Sequence, residues 1–436
     1  MKIAENIDKI SWSAADKSLY IIYGVVTLFQ IKFLPPTEFG LFQLLMSLNL
    51  WIFVISDSFC LQALIQFGMN ESNRRKVNTI SLILHVAVVL GISLLIFILK
   101  YLISGFFNEE RLILVGTYLP LLGILTIPRN YCIKLLYRDQ DLKGVFLMDL
   151  VYFGTMSCLT AYLIYINLYL NFFDMLTIYS VGAGLSSTAL VVTMRNKFKF
   201  GFEGTIIMKE FIKFGMPMTL LSAIHTMPRF LDIFIIQFTM SSTAIVGVYS
   251  SAKTLYKVFE EIANATYGLI YPSAVRQIER KNNDAIVALI TKTCSFLTIS
   301  ILFFVILLES GIAEMAIKMF FPPKYHDAIG QFRLILLAAP ALPFIVVGLV
   351  ITASGKPVKV LQITTISAVF SFIVLYFIGR AGEASLLPLG IIVFNYIYGI
   401  QSIAYLKKKY EFPLSMLLRA FRDTKQFFVQ KYGKSI

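Results

Sequence analysis

Hydrophobic and polar positions along this chain are arranged in blocks. Twelve continuous apolar stretches, at 18–34, 41–67, 79–103, 112–133, 145–168, 174–194, 214–238, 247–271, 286–308, 331–353, 360–379 and 385–406, are separated by short polar segments. Each is about twenty residues long, which is what a helix rising ~1.5 Å per residue needs to cross a hydrocarbon core of ~30 Å. Membrane-spanning strands would alternate apolar and polar residues, and these runs do not. The pattern therefore predicts an all-α polytopic membrane protein with 12 transmembrane helices.

Composition agrees with that class, since 57% of residues are hydrophobic, 15% are charged, and Phe and Tyr number 38 and 22. A soluble domain of this size could not bury so much apolar surface. The net charge of +14 is largely a topology signal. If alternate polar segments face the same side, 27 of the 39 Lys and Arg residues fall on the side of the N-terminus. By the positive-inside rule both termini are then cytoplasmic, and the basic balance does not call for a nucleic-acid partner. Residues 1–17 are largely polar and charged, so no cleavable signal is expected ahead of the first span. Cys60, Cys132, Cys158 and Cys294 show no paired spacing, so neither a disulfide nor a metal site is expected. No phosphate-binding loop and no segment large enough for a catalytic domain is present, so neither a cofactor nor an enzymatic activity is expected.

Six spans precede the basic segment 195–213 and six follow it, a parity that allows a parallel repeat of two six-helix lobes. The lobes expected are 1–195 and 214–406, joined by a basic cytoplasmic linker at 196–213 and followed by a basic cytoplasmic tail at 407–436. Phe33-x6-Gly40-Leu-Phe42 resembles Phe238-x8-Gly247-Val-Tyr249, and the fourth and tenth spans each hold a proline pair, Pro120 with Pro128 and Pro340 with Pro343. Pro217 and Pro228 lie in the seventh span. Interrupted helices in matched positions point to a transport site, or else the kinks only fit the helices together.

A charge near the bilayer centre costs at least ~2.5 kcal/mol, so it normally faces a cavity or a partner. Arg129, Lys292 and Arg333 lie close enough to span ends to snorkel, whereas Arg229, Lys253 and Lys257 lie deeper. Lys253, Lys257, Glu260 or Glu261, and Asn264 recur at helical spacing and draw a polar stripe down the eighth span. Asp232 and Lys253 are each ~9 Å from the same end of neighbouring spans, which permits a salt bridge. Asp57, between Ser56 and Ser58, carries a coupling proton, hydrogen-bonds its serines or pairs with a base from another helix. His85 and His225 either titrate or pack, and Asp16-Lys17 meets a headgroup or marks the interface.

The hairpin Phe33-Leu-Pro-Pro-Thr-Glu-Phe-Gly-Leu-Phe42 resembles polysaccharide-export flippases of the multidrug/oligosaccharidyl-lipid/polysaccharide (MOP) superfamily. The likeness continues through Phe214-Gly-x-Pro217, Asp232, Val246-Gly-x-Tyr249-x-x-Ala252-Lys253-x-Leu255, Pro272 and Phe320-x-x-Pro323-Lys-Tyr-x-x-Ala328. Pro35-Pro36 and Ser58-Phe59-Cys60 depart from the family pattern. The resemblance implies a V-shaped bundle in a bacterial inner membrane that flips an undecaprenyl diphosphate-linked oligosaccharide to the outer leaflet, for O-antigen or capsule. Its partners would be that substrate, membrane lipids, a polysaccharide polymerase and glycosyltransferases. Lys253 occupies the place of a basic residue that faces a cationic cavity in such flippases. Lys257 and Arg229 would add charge, and Asp57, Asp232, Glu260 and Glu261 would couple or pair charges. A multidrug/cation antiporter of the same fold is the alternative, and a membrane enzyme a more distant one.

Overall fold

The computed structural model describes residues 3–418, and these are almost entirely helical, with no strand among them. The principal helices are α1 (Ile3–Phe33), α2 (Pro36–Gly68), α3 (Arg74–Ile98), α4 (Leu112–Arg138), α5 (Leu142–Asn167) and α6 (Phe172–Lys197). They continue with α7 (Met208–Phe230), α8 (Thr243–Glu279), α9 (Asn283–Ile312), α10 (Asp327–Ala353), α11 (Pro357–Ala381) and α12 (Ala384–Tyr410). Nine of them are long and apolar enough to cross a membrane among the described residues, and ten if α7 and the short helix Asp232–Met240 form one span bent by 48°. α1 and α8, at 31 and 37 residues, have the length but are interrupted by charge. The basic tail expected at 407–436 begins as the last turn of α12, and its residues 419–436 lie outside those described.

Helix boundaries follow local chemistry. Pro36 opens α2 at its first turn, where its missing N–H costs nothing. The Asp141 carboxylate caps α5 by accepting from Gly144 N at 2.9 Å, and Asn171 with Asp174 forms a capping box at the start of α6. The proline pairs act differently: α4 stays continuous through Pro120 and Pro128, whereas α10 passes through a 3₁₀ turn, Ala339–Ala341, at Pro340. α7 ends at Phe230, two residues after Pro228.

By contacts the chain forms two units, Met1–Gly247 and Val248–Ile436. In the first, α2 packs on α3, α4 and α7, α1 packs on α5, and α4, α5 and α6 pack on one another. An apolar cluster of Leu61, Leu64, Tyr131, Leu135, Val145 and Leu190 joins α2, α4, α5 and α6. The segment after α6 is strapped to α3: Asn78 donates to Lys199 O at 3.1 Å, Thr79 exchanges hydrogen bonds with Gly201, and Asn73 Oδ1 accepts from Thr205 N at 2.8 Å. In the second unit α10 is the most buried candidate span, packed between α9 and α12, and α11 pairs with α12.

Gly40 and Gly247, matched to each other in the repeat reading, meet in the first unit. A Cβ on Gly40 would lie 1.8 Å from Thr243 O, and one on Gly247 would lie 2.0 Å from Pro36 O. Backbone cannot step aside as a side chain can, so the approach requires glycine on both sides. Gly247→Ala is expected to cost about 1–3 kcal/mol by overpacking, read as a lower unfolding midpoint of the detergent-solubilised protein. Gly24→Ala, whose Cβ would meet nothing within 4 Å, is the matched control and should leave the midpoint unchanged or higher.

Candidate functional site

In the first unit, charge is concentrated on the faces that α1, α2, α4 and α5 turn toward one another. Asp57 opens a π-helical turn, Asp57–Leu61, inside α2. Such turns leave the regular ladder out of register and are frequent at functional sites. The Asp57 carboxylate lies 2.8 Å from Lys134 Nζ on α4 and accepts from Gln62 Nε2 at 3.1 Å. Of the alternatives open to Asp57, pairing with a base from another helix is the arrangement present. Ser56 Oγ is 2.6 Å from His85 Nδ1, so that serine and that histidine serve each other.

A second centre lies between α4 and α5. The Arg129 guanidinium bonds the carboxylate of Asp149, which is 2% exposed, and stacks 4.1 Å from the centroid of the Tyr152 ring. Tyr20 on α1 donates to the other Asp149 oxygen at 3.3 Å. Sequence reading let Arg129 snorkel, placed Lys134 beyond its span and passed over Asp149. In the structure all three are half-buried or buried partners of another helix. Further along α1, Gln30 Nε2 donates to Thr160 Oγ1 at 2.9 Å and lies 3.3 Å from Tyr23 Oη. The polar edge of α1 therefore faces the polar edge of α5.

At the break after α7, Arg229 occupies the last turn of that helix and is exposed. Asp232 is buried and starts Asp232–Met240, its Oδ1 accepting from Ile233 N at 2.9 Å. A carboxylate there is favoured by the partial positive charge of a helix N-terminus.

α8 carries the predicted stripe. Lys253 is 9% exposed, with Nζ 5.8 Å from the centroid of the Tyr249 ring one turn earlier. Lys257 and Glu261 are exposed, Glu260 is half-buried, and Asn264 donates to Glu261 Oε1 at 3.3 Å. One turn along α8 from Lys253, Tyr256 ties the helix into the second unit, where Asn395 on α12 donates to Tyr256 Oη at 3.0 Å and to Ala338 O on α10 at 3.4 Å. Among the described residues no three His, Cys, Asp or Glu side chains are grouped as metal ligands. What the described charges offer is a buried lysine at the head of a polar stripe on α8, a cation suited to attracting an anionic group.

Residues 31–330 match the family described as polysaccharide biosynthesis protein. The chain belongs to that family. Members of the MOP superfamily share its fold: an inward-facing multidrug resistance MATE family transporter superposes with a TM-score of 0.75 at 14% identity, covering 92% of this chain and 98% of its own. The lipid II flippase MurJ, in an inward closed conformation, gives 0.72 at 16% identity and covers 98% of this chain and 93% of its own. A MOP superfamily transporter from Pyrococcus furiosus, described as having a binding pocket of reversed polarity, gives 0.60 at 15% identity, covering 91% and 93%. No curated protein matches in sequence. This polysaccharide biosynthesis protein is thus a multi-pass membrane protein with a transporter fold.

Proposed function

We propose that the protein flips an isoprenoid (undecaprenyl) diphosphate-linked oligosaccharide from the cytoplasmic to the outer leaflet of a bacterial inner membrane, for O-antigen or capsule synthesis. The observation that carries this reading is Lys253, a lysine 9% exposed at the head of the polar stripe on α8 in a polysaccharide biosynthesis protein. An ammonium held in low-dielectric surroundings attracts an anionic group strongly, and a diphosphate headgroup is such a group. Lys257 and Arg229 add cationic charge along its path, while the lipid tail stays in hydrocarbon. The description of one structural neighbour as a lipid II flippase is in keeping with a lipid-linked substrate.

In this reading all twelve principal helices span the membrane, both termini are cytoplasmic, and residues 1–195 rock against 214–406 in alternating access. A polysaccharide polymerase and glycosyltransferases act on the same substrate. A cation antiporter would need carboxylates open to organic cations, and the engagement of Asp57 by Lys134 at 2.8 Å counts against it. Deletion of the gene should abolish surface polysaccharide and cause lipid-linked oligosaccharide to accumulate, with drug sensitivity unchanged. Normal lipid and glycan pools with raised sensitivity to cationic drugs would overturn the proposal.

A further inference from the structure

We propose that Asp16 and Asp149 form a proton-binding site that ties α1 to α5. The two carboxyl groups are 4% and 2% exposed and lie within hydrogen-bonding reach of each other. Asp149 is already served by Arg129 and Tyr20. Among the described residues the ion-pair partner of Asp16 is Lys17, its Nζ 4.0 Å from Oδ2 and its side chain 67% exposed, and Asp16 Oδ1 is buried without a hydrogen-bond partner. Two buried carboxylates thus face one half-buried guanidinium.

A proton on Asp16 completes this arrangement. It removes one of two like charges held in contact and turns an acceptor-only pair into a donor and an acceptor, with Asp16 O–H donating to the Asp149 carboxylate. A hard cation fits less well, because it demands six or more oxygens and Arg129 already takes one side of Asp149. The charged and titratable groups facing Asp16 are Lys17 and Tyr20 on α1, Arg129 and Tyr137 on α4, and Asp149 on α5. Asp16 lies just ahead of the first apolar run, where burial, followed by the Asp149 charge, raises its carboxyl to about 6. Below that pH the shared proton joins α1 to α5. Above it two carboxylates oppose each other and this end of the contact loosens, while Gln30 and Thr160 hold the other end at 2.9 Å.

The chain has its own reporter. Trp12 lies one turn before Asp16, its ring centroid 5.3 Å from that of Phe146 on α5 and 5.6 Å from Lys143 Nζ. Trp51 is the second of the 2 tryptophans, so Trp51→Phe isolates the Trp12 emission. Full-length Trp51→Phe protein in lipid nanodiscs should show a one-proton change in that emission with a midpoint near pH 6. Asp149→Asn should lower the midpoint by roughly one pH unit or more, a tenfold weaker hold on the proton. Asp16→Asn, which mimics the protonated shape, should abolish the change, and Asp16→Glu should restore a titration. A transition that survives Asp16→Asn, is absent from the parent or moves with sodium concentration overturns the proposal. No transported substrate enters this measurement, so its outcome is independent of the flippase reading.

Discussion

Lys253→Ala is expected to abolish surface polysaccharide while the protein still accumulates in the membrane. The side chain is 9% exposed, and α8 is tied into its unit by a contact that does not involve it, Asn395 to Tyr256 Oη at 3.0 Å, so losing the ammonium leaves that anchor in place. A hydrogen bond to a charged group contributes about 1.5–3 kcal/mol, so loss of one contact to a diphosphate lowers transport roughly 10- to 150-fold. Lys253→Arg keeps the charge and should retain a measurable share of export, whereas Lys253→Met, of similar length and without charge, should behave like alanine. The measurement is surface glycan per unit of membrane protein in a complemented deletion strain. Equal export by the Met variant would show that Lys253 serves packing alone.

The largest expected loss of stability comes from Arg129→Met. Removing one partner of a buried ion pair leaves an uncompensated charge and costs about 3–5 kcal/mol. Here the group left behind is Asp149, 2% exposed and beside the carboxyl of Asp16, so the penalty falls on two acids. The double variant Arg129→Met, Asp149→Asn should recover most of the loss, since the carboxylate that Arg129 paired with is gone, and with it the like charge that faces Asp16. Unfolding of the purified protein in mixed micelles measures both. Additive losses in the double variant would show that the two residues do not act as a pair.

The helical architecture is legible in the sequence because continuous apolar runs leave no alternative in a bilayer. Helix ends are less legible. The fourth run stops at residue 133, so Lys134 reads as a loop residue, whereas α4 continues to Arg138 and brings that lysine to Asp57. Arg129 reads as a snorkelling residue because its depth is counted along its own helix, and such a count is blind to a carboxylate on the next one. A signal for the α1–α5 contact does exist: Asp16, Tyr20, Tyr23 and Gln30 share one face of a helix, as do Asp149, Tyr152 and Thr160. Each of these stripes opens with its acid at the edge of an apolar run, where an acid passes for an interface marker. The likeness between Gly40 and Gly247 is visible as a repeat, but their contact is not, because sequence similarity carries no distance.

Transport itself is tested most directly with purified protein in liposomes containing a lipid-linked oligosaccharide and an added membrane-impermeant glycosidase. Without the protein, only glycan in the outer leaflet is cleaved. The flippase account predicts that wild-type protein exposes the inner-leaflet glycan as well, and that Lys253→Met returns cleavage toward the protein-free level. Cleavage by wild-type liposomes that never exceeds the protein-free level would contradict it.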